Sequence, residues 1–325
     1  MRKPRNERDV VQSIERAFRS TRSSLLTVSL GDDTALWRGS RHKQTLLTCD
    51  WFLEGTHFLG QKHPPDAIGW KCLARAVSDI AAMGGKPACF LLSLALPDRL
   101  AGRWLTGFLG GLRRASRATA CELAGGDTTR SEHILIGITV LGEVARRQAV
   151  LRSGARPGDL VYASGTLGEA ELGLEQLRRL PTLPRPPNAA LRKHLYPEPR
   201  LALGQWLAEK RLATAMMDLS DGLSSDIPRL CAASGVGATI DSSSLPLASL
   251  KDRRRALALA LHGGDDYELL FTVSPPKAAL LPGEFRGVKL TRIGKITHGR
   301  KILLQDAKGG TTLLGPGGWD PFRTS

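Results

Sequence analysis

The stretch Arg75–Pro87, RAVSDIAAMGGKP, constrains the fold more than any other part of the sequence. Small and apolar residues occupy nearly every side of the helix it would form, and Gly84-Gly85 before Pro87 ends that helix. The pattern therefore predicts a buried helix, into which the sequence places one carboxylate, Asp79. A buried carboxylate is costly unless it pairs with a cation or binds a metal. Two interpretations stay open at this point: an ion pair with Arg75 four residues earlier, or a functional ligand.

Other acidic residues lie at the ends of apolar runs, beside Gly, Ser or Thr. They are Asp32, Asp33, Asp50, Asp127, Asp218, Asp221, Asp265 and Asp266. Strand ends and glycine-rich turns are where a fold presents ligands. Carboxylates without a His or Cys cluster favour Mg²⁺ or Mn²⁺ over zinc. Several converging carboxylates would repel each other without cations between them, so we expect more than one ion and phosphoryl transfer from a nucleotide.

The chain has 325 residues, enough for two domains, and a formal net charge of +15 from 46 Lys and Arg against 31 Asp and Glu. This excess of positive charge raises the possibility of a nucleic-acid-binding protein. The basic residues are dispersed, however, the aromatic residues are few, and no nucleic-acid-binding motif occurs. We therefore expect no nucleic-acid partner, and a positive field that favours a small polyanionic substrate. A nucleic-acid-binding protein remains the alternative to an enzyme that acts on a small substrate.

The cysteines and the first residues predict a cellular compartment. Five scattered cysteines without a CxxC pair argue against a disulfide framework and against a zinc site. The segment MRKPRNERDVV is charged and contains no apolar signal region, and no apolar run approaches the length of a membrane span. We therefore expect a cytoplasmic protein that makes no membrane contact.

Strand-like and helix-like runs alternate in both halves of the chain, which predicts an α/β or α+β fold. The turn-rich segment Arg152–Asp159 is the best candidate for a link between domains, and we divide the chain into residues 1–148 and 149–325. Strands are predicted at Thr45–Asp50, Cys89–Leu96, Ile134–Val144, Leu160–Ala163, Ala215–Asp218, Val236–Ile240 and Leu269–Val273. Helices are predicted at Asp9–Arg19, Trp104–Ala120, Leu167–Leu180, Leu201–Glu209 and Ser224–Ser234, with a loop at Pro181–Pro199.

The common nucleotide-binding signatures are absent: the sequence contains no GxxxxGK[ST], no GxGxxG after a strand, and no HRD or DFG set. Glycine pairs instead precede acids, in Gly125-Gly126-Asp127 and Gly263-Gly264-Asp265. Such pairs let the backbone approach a phosphate closely.

Seven motifs occur in chain order: GDDTALW, TCDWFLEGTHF, AIGWKCLARAVSDIAAMGGKP, AGGDTTRS, LRSGARPGD, MDLSDGLSSDI and GGDDYELLFTV. The series resembles that of the thiamine-monophosphate kinase family, within the aminoimidazole ribonucleotide synthetase-like superfamily. Each motif alone is weak, but the resemblance spans essentially the whole chain. It implies transfer of the γ-phosphoryl group of ATP to thiamine monophosphate, giving thiamine diphosphate and ADP. It also implies a homodimer in which the N-terminal halves form a β-barrel, with a C-terminal α/β domain in each chain.

The resemblance also implies roles for individual residues. The metal ligands, for several Mg²⁺ ions, would be Asp33, Thr48, Asp50, Asp79, Asp127, Asp218 and Asp221. Catalysis would depend most on Asp50, Asp79 and Asp218. ATP would contact Gly126, Asp127, Arg152 and Ser220, and the thiamine substrate would lie near His57, Asp265 and Trp319. Considered without the family, His57 is more simply a loop histidine with a backbone partner, and Trp319 a plug that seals the core.

Two positions depart from the family pattern. Cys49 replaces the usual Thr, which removes a side-chain oxygen ligand there. Asp265 replaces the usual Glu, which keeps the charge but shortens the side chain by one methylene.

The nearest rivals are sibling enzymes of the superfamily: aminoimidazole ribonucleotide synthetase, selenophosphate synthetase and the hydrogenase-maturation dehydratase. Selenophosphate synthetase would need a reactive Cys near an N-terminal glycine-rich loop, and the maturation enzyme a C-terminal Cys. In this sequence the first cysteine is Cys49 and the last letters are FRTS.

Overall fold

A computed structural model of the protein describes residues 7–18, 26–28, 36–37 and 39–322. The chain forms a mixed α/β structure of two compact units. The first unit contains the chain up to Ile80 together with Gly85–Arg146, and the second contains Ala81–Gly84 together with the chain from Arg147 onward. No helix in these described ranges is long and apolar enough to span a membrane.

The first unit is built on a four-stranded sheet with two long helices. Its helices are α1 (Glu7–Phe18), α2 (Pro65–Ala82), a short 3₁₀ helix (Asp98–Leu100) and α3 (Arg103–Thr119); its strands are β1 (Leu26–Val28), β2 (Leu36–Trp37), β3 (Lys43–Leu53), β4 (Lys86–Leu96), β5 (Glu122–Arg130) and β6 (Leu135–Ala145). The sheet order is β3-β6-β4-β5, with β4 and β5 parallel and the other pairs antiparallel. The short pair β1-β2 forms a separate ribbon.

Helix α2 packs on this sheet and against α3. Ile80 reaches β6 at Gly142, where a Cβ would lie 3.0 Å from the Ile80 side chain. A Cβ at Gly69 would meet the carbonyl oxygen of Phe108 at 2.0 Å, so only glycine allows the two helix backbones to approach this closely. The predicted buried helix is therefore confirmed, and it begins ten residues earlier than the stretch that suggested it.

The opposite face of the sheet carries exposed apolar side chains. Leu47 on β3 is 70% exposed, Trp51 is 58% exposed, and Leu91 on β4 is 38% exposed. Leu47 lies directly across from Leu141 of β6 in the antiparallel pair. Antiparallel partners share a face, so Leu47 and Leu141 lie side by side on this surface. We call the part of this face that carries Leu47, Trp51 and Leu91 the apolar strip.

The second unit contains a mixed sheet of eight strands. Its helices are α4 (Glu169–Arg179), α5 (Ala189–Leu195), α6 (Leu201–Glu209), α7 (Leu223–Ser234), α8 (Arg253–His262) and α9 (Pro275–Ala278); its strands are β7 (Leu160–Ser164), β8 (Ala213–Leu219), β9 (Gly237–Asp241), β10 (Glu268–Val273), β11 (Glu284–Phe285), β12 (Val288–Thr297), β13 (Ile302–Gln305) and β14 (Thr311–Leu313). The order is β14-β13-β9-β12-β7-β10-β8, and β11 pairs with β12. All pairs are antiparallel except β9-β13.

Strand β10 lies inside the second unit and is buried on both faces. Leu270 belongs to the core that includes Leu223 and Ile227 of α7, whereas Leu269 and Phe271 belong to the core that includes Leu207 of α6. This arrangement explains why the run ELLFTV has no polar alternation.

The predicted elements agree with the structure where the apolar pattern was long. Strands β3, β4, β6, β7, β8, β9 and β10 include or overlap the predicted segments. The segment Pro181–Pro199, expected to be a loop, instead contains helix α5, which begins after Asn188. The Asn188 side chain accepts a hydrogen bond from the Leu191 backbone at 3.0 Å, which caps the helix despite the surrounding prolines.

Candidate active site

In the first unit, β3 and α2 bring a hydroxyl to a carboxylate. The Thr48 hydroxyl donates a hydrogen bond to the carboxylate of Asp79 across the interface between strand and helix. Asp50 lies two residues further along β3 and is half-buried, so it belongs to the same face of the strand as Thr48. Three oxygen-bearing side chains predicted as metal ligands thus lie on facing elements.

Gly126 and Asp127 lie on β5, a strand that the sequence did not predict. Gly126 has φ of 156°, and a Cβ there would lie 1.9 Å from the carbonyl oxygen of Leu92 on the neighbouring strand β4. A side chain is therefore excluded at this position by close backbone approach. Asp127 follows it, exposed, in register with Ser93.

His57 makes the local contact that its loop position suggested. Its Nδ1 accepts a hydrogen bond from the backbone N–H of Leu53 at 3.1 Å. The neutral ring therefore carries its proton on Nε2. The ring also lies near Phe52, with centroids 6.0 Å apart.

In the second unit, the turn after β8 and the turn before β10 are joined by backbone hydrogen bonds. The N–H of Asp265 donates to the carbonyl of Ser220 at 2.8 Å, and the N–H of Tyr267 donates to the carbonyl of Leu219 at 2.8 Å. Asp218 lies one residue before this junction, buried at the end of β8. Two motifs separated by forty residues in the sequence, SDG and GGDDY, therefore form one surface.

Asp226 holds the SDG turn in place. Its Oδ2 accepts hydrogen bonds from the backbone N–H groups of Ser220 at 3.2 Å and Asp221 at 3.1 Å. Its Oδ1 accepts from Arg229 at 2.9 Å, and Arg229 also pairs with the Asp221 carboxylate. Burial, reinforced by the nearby Asp221 charge, raises the pKa of Asp226 to about 7. Sequence reasoning missed Asp226 and Arg229, although both lie in or beside the quoted motif.

Asp265 adopts a backbone conformation that non-glycine residues rarely show, with φ of 66°, and Tyr267 follows with φ of 49°. The Tyr267 hydroxyl donates to Asp265 Oδ1 at 2.6 Å. Backbone strain of this kind clusters at ligand sites, and here the tyrosine fixes the direction of the shortened acid.

Trp319 is tied to the same turn through its backbone. Its N–H donates to the carbonyl of Asp221 at 2.8 Å. Nearby, the N–H of Gly317 donates to Ser224 Oγ at 3.2 Å, and that hydroxyl contacts His262 Nδ1 at 2.9 Å. Burial lowers the pKa of His262, which favours the neutral ring. The Trp319 side chain is 46% exposed, so the alternative of a tryptophan plug in the core is wrong.

Arg152 lies on an exposed segment beside β8. The carbonyl of Leu151 accepts from the N–H of Met216 at 2.9 Å, and the carbonyl of Arg152 accepts from Ser234 Oγ at 3.0 Å. These bonds fix the backbone and leave the guanidinium at the surface.

The predicted site residues fall into two sets, one in each unit. Thr48, Asp50, His57, Asp79, Gly126 and Asp127 belong to the first, and Arg152, Asp218, Ser220, Asp221, Asp265 and Trp319 to the second. Ser220, Asp221, Asp265 and Trp319 are brought together directly. Asp33 lies outside the described residues. Within the described part of the chain, no group of three or more His, Cys, Asp or Glu residues could by itself hold a metal ion.

Comparison with known proteins gives consistent matches along the chain. Residues 31–144 match the family model of the AIR synthase related protein, N-terminal domain, and residues 156–306 match the corresponding C-terminal domain. Thiamine-monophosphate kinase of Synechococcus elongatus is 39% identical over 274 residues, covering 82% of this chain and 84% of the relative. The Escherichia coli K12 enzyme is 37% identical over 321 residues, covering 96% and 97%.

Solved structures agree with these matches. Thiamine-monophosphate kinase from Stenotrophomonas maltophilia superposes with a TM-score of 0.80 at 34% identity, over 91% of this chain and 95% of that chain. A structure of AaThiL complexed with AMPPCP and TMP gives a TM-score of 0.76 at 35% identity, over 96% of both chains. The hydrogenase maturation protein HypE shares the fold, with a TM-score of 0.79 at 17% identity. The chain therefore belongs to the AIR synthase related family and, within it, to the thiamine-monophosphate kinases.

Proposed function

We propose that this chain transfers the γ-phosphoryl group of ATP to the phosphate of thiamine monophosphate, producing thiamine diphosphate and ADP. The observation that carries the proposal is the junction of Ser220, Asp221, Asp265 and Trp319, because it joins residues assigned to nucleotide, metal and acceptor on one set of backbone hydrogen bonds. The AaThiL neighbour is complexed with AMPPCP and TMP, the two ligand types that this reaction requires.

The acceptor determines what the protein has to supply. A phosphate monoester has a second pKa of about 6, so its oxygen is already largely ionised at neutral pH. No general base is needed, and the residues act by orienting two phosphate groups and offsetting their repulsion. Arg152 provides a fixed positive charge for the nucleotide. His57, Asp265 and Trp319 orient the acceptor, with Asp265 held in direction by Tyr267.

The donor atoms fit magnesium. The side chains that would hold the ions are Asp33, Thr48, Asp50, Asp79, Asp127, Asp218 and Asp221, all oxygen donors and six of them carboxylates. Bound magnesium would neutralise charge on the transferred phosphoryl group. The contact of Thr48 with Asp79 holds that carboxylate against β3, on the face that also carries Asp50.

The assembly and the compartment belong to the same proposal. We assign a homodimer in which the four-stranded sheets of two chains pair through the apolar strip that contains Leu47, Trp51 and Leu91, closing a β-barrel across the interface. The exposure of these side chains supports this assignment. The protein acts in the cytoplasm, where ATP and magnesium are available.

The reaction is tested by ADP release from purified protein with ATP and Mg²⁺. Thiamine monophosphate, free thiamine and formylglycinamidine ribonucleotide are offered in parallel, with and without a chelator. We expect turnover with thiamine monophosphate alone, abolished by the chelator. Turnover with only the ribonucleotide would contradict the kinase assignment and place the chain among its purine-pathway siblings.

The metal-binding acids are tested by substitution. Asp79→Asn and Asp50→Asn should each lower turnover by roughly a hundredfold or more, because each removes charge that faces the phosphoryl groups, while the circular dichroism spectrum stays unchanged. Asp66→Asn on the same helix is the matched control, since Asp66 pairs with Arg114 at the surface at 2.8 Å. Wild-type activity of Asp79→Asn at saturating magnesium would overturn its assignment.

A further inference from the structure

The second unit contains a cavity of about 410 Å³ that the proposed reaction does not use. Its lining includes Arg192, Lys193 and Tyr196 of the α5 region, Arg200 at the start of α6, and the acids Glu169 and Glu198, with a proline and an alanine completing the wall. None of the residues assigned above to metal, nucleotide or acceptor lines it.

Two cations in this cavity share one buried carboxylate. Glu268, fully buried on β10, accepts from Arg200 Nε at 2.7 Å, from Arg200 Nη2 at 2.5 Å, from Ser164 Oγ at 2.5 Å, and from Lys193 Nζ. Both oxygens of the carboxylate are therefore saturated. The oxygens of the neighbouring Asp266 accept from the N–H groups of Gly168 and Ala170 at the start of α4. Burial raises the pKa of Asp266 to about 7, although the charge of Lys193 acts to lower it.

The two cations keep donors that Glu268 does not use. An ammonium has three N–H donors and a guanidinium has five, but among the described residues Lys193 donates only to Glu268. In the part of the chain that the structure describes, Arg200 Nη1 pairs with Glu198 Oε2 at 4.0 Å, and Glu198 is 64% exposed and screened by solvent. The Lys193 and Arg200 side chains are 11% and 17% exposed, so their remaining donors are partly desolvated. Partly desolvated donors of this kind bind anions more strongly than surface lysines do.

The rest of the lining restricts the ligand. Glu169 and Glu198 would repel a polyphosphate, and Tyr196, Pro187 and Ala189 add residues with apolar surface to the lining. We infer that this cavity binds a small organic molecule with one anionic group, a carboxylate or a phosphate, attached to a planar or apolar body.

The test uses the full-length protein in chelator and without nucleotide, so that it does not depend on turnover. Isothermal titration calorimetry measures the affinities of benzoate, phenyl phosphate and inorganic phosphate. The first two compare a carboxylate with a phosphate, and the last two show how much the apolar ring adds to the affinity. We expect phenyl phosphate or benzoate to bind more tightly than inorganic phosphate. Absence of binding by both aromatic anions would overturn the inference.

Substitutions locate the binding. Arg192→Gln and Lys193→Gln should each weaken it roughly tenfold, because each removes a charge-assisted hydrogen bond. Arg192 lies at the exposed rim, whereas Lys193 pairs with the buried Glu268, so the Arg192 variant should fold even where the Lys193 variant is impaired. Arg178→Gln on α4, outside the cavity, is the matched control and should leave the affinity unchanged.

A substitution that should strengthen binding distinguishes a change in the cavity from damaged folding, because a misfolded variant could only bind more weakly. Glu198→Gln deletes a rim carboxylate and should strengthen anion binding by about threefold. Asp50→Asn should leave binding unchanged, which separates this cavity from the proposed metal site. Binding that is lost in Asp50→Asn and retained in Arg192→Gln would place the anion in the reaction site and overturn the inference.

Discussion

A single carboxylate, Glu268, shows how far a residue's role can differ from its motif. In the sequence it is one letter of GGDDYEL, beside acids that suggested ligands. In the structure it is fully buried and surrounded by Lys193, Arg200 and Ser164. Burial alone would raise its pKa, but the two adjacent cations lower that pKa from 4.5 to about 2. Glu268 is thus a structural anion that orders two basic side chains.

Glu268→Gln should lower the free energy of unfolding by about 3–5 kcal/mol at pH 7, because it leaves two largely buried cations without their counter-ion. A carboxylate whose pKa is lowered by folding stabilises the protein above its unfolded pKa and loses that contribution as the pH falls. The difference between wild type and variant should therefore shrink as the pH falls from 4.5 to 2. Urea unfolding at several pH values measures it.

The control for this prediction is Glu175→Gln. Glu175 pairs with Arg255, but both side chains are partly exposed, at 25% and 41%. A solvated pair of this kind contributes at most about 1 kcal/mol. Equal losses in the two variants would show that the buried cluster contributes no more than a surface pair.

The sequence identified the candidate ligand-binding residues but not the residues that position them. Ser220, Asp221, Asp265 and Trp319 were identified by family resemblance, and the structure brings them together. Asp226 escaped notice because an acid three residues into a helix is also an ordinary first-turn residue. Its importance comes from accepting two backbone N–H groups of the preceding turn, which depends on tertiary geometry rather than on spacing.

At the scale of elements, pattern length decided what could be predicted. Strand β10 was evident from ELLFTV, because a short run without polar alternation indicates a strand buried on both faces. Strand β5, ELAGGDTTR, has no such run, and its glycines suggested a turn. It is a strand because Gly126 allows close approach to Leu92 of β4. This contact joins residues far apart in the sequence, so a local pattern could not reveal it. Helix α8, RRRALALALH, begins at an Asp252 cap that was not recognised.

The turn between β8 and α7 supports a prediction about positioning. Asp226→Ala removes the acceptor for Ser220 and Asp221 and one partner of Arg229, so the turn should shift relative to the nucleotide. We expect kcat/KM for ATP to fall roughly tenfold to a hundredfold, since small misplacements of orienting groups have effects of this size. Asp226→Asn should be intermediate, because its amide oxygen can still accept from the turn.

The matched control is Asp241→Ala. Asp241 also holds a turn, accepting from the N–H of Ser243 at 2.8 Å and from the hydroxyls of Ser243 and Ser244. These hydrogen bonds lower its pKa, as expected for a carboxylate that accepts several of them. Its loss should reduce stability and leave kcat/KM unchanged. Equal kinetic effects in both variants would mean that Asp226 acts only through stability.

At the scale of the whole molecule, the two units differ in how the faces of their sheets are covered. The eight-stranded sheet of the second unit is covered by apolar clusters that include residues of α6 and of α7. In the first unit, α2 packs on one face of the four-stranded sheet, while Leu47, Trp51 and Leu91 are exposed on strands β3 and β4. The sequence pattern of a strand with exposed apolar residues is the same as that of a strand in the protein core. The alternation of apolar and polar residues therefore could not show what covers this face of the sheet.

This exposed strip supports the last prediction, that the protein is a dimer through its first unit. Wild type should sediment at twice the 35.1 kDa chain mass. Leu47→Glu combined with Leu91→Glu places charges in the apolar strip and should weaken association by at least roughly a hundredfold, since truncating buried anchors commonly costs 2 kcal/mol or more each. Leu280→Glu combined with Leu313→Glu is the control, because these leucines are also exposed, at 66% and 69%, but lie in the second unit. If the control pair dissociates the protein and the strip pair does not, the interface lies elsewhere and the proposed barrel is wrong. If only the strip pair yields monomers with an unchanged circular dichroism spectrum, the apolar strip is the subunit interface.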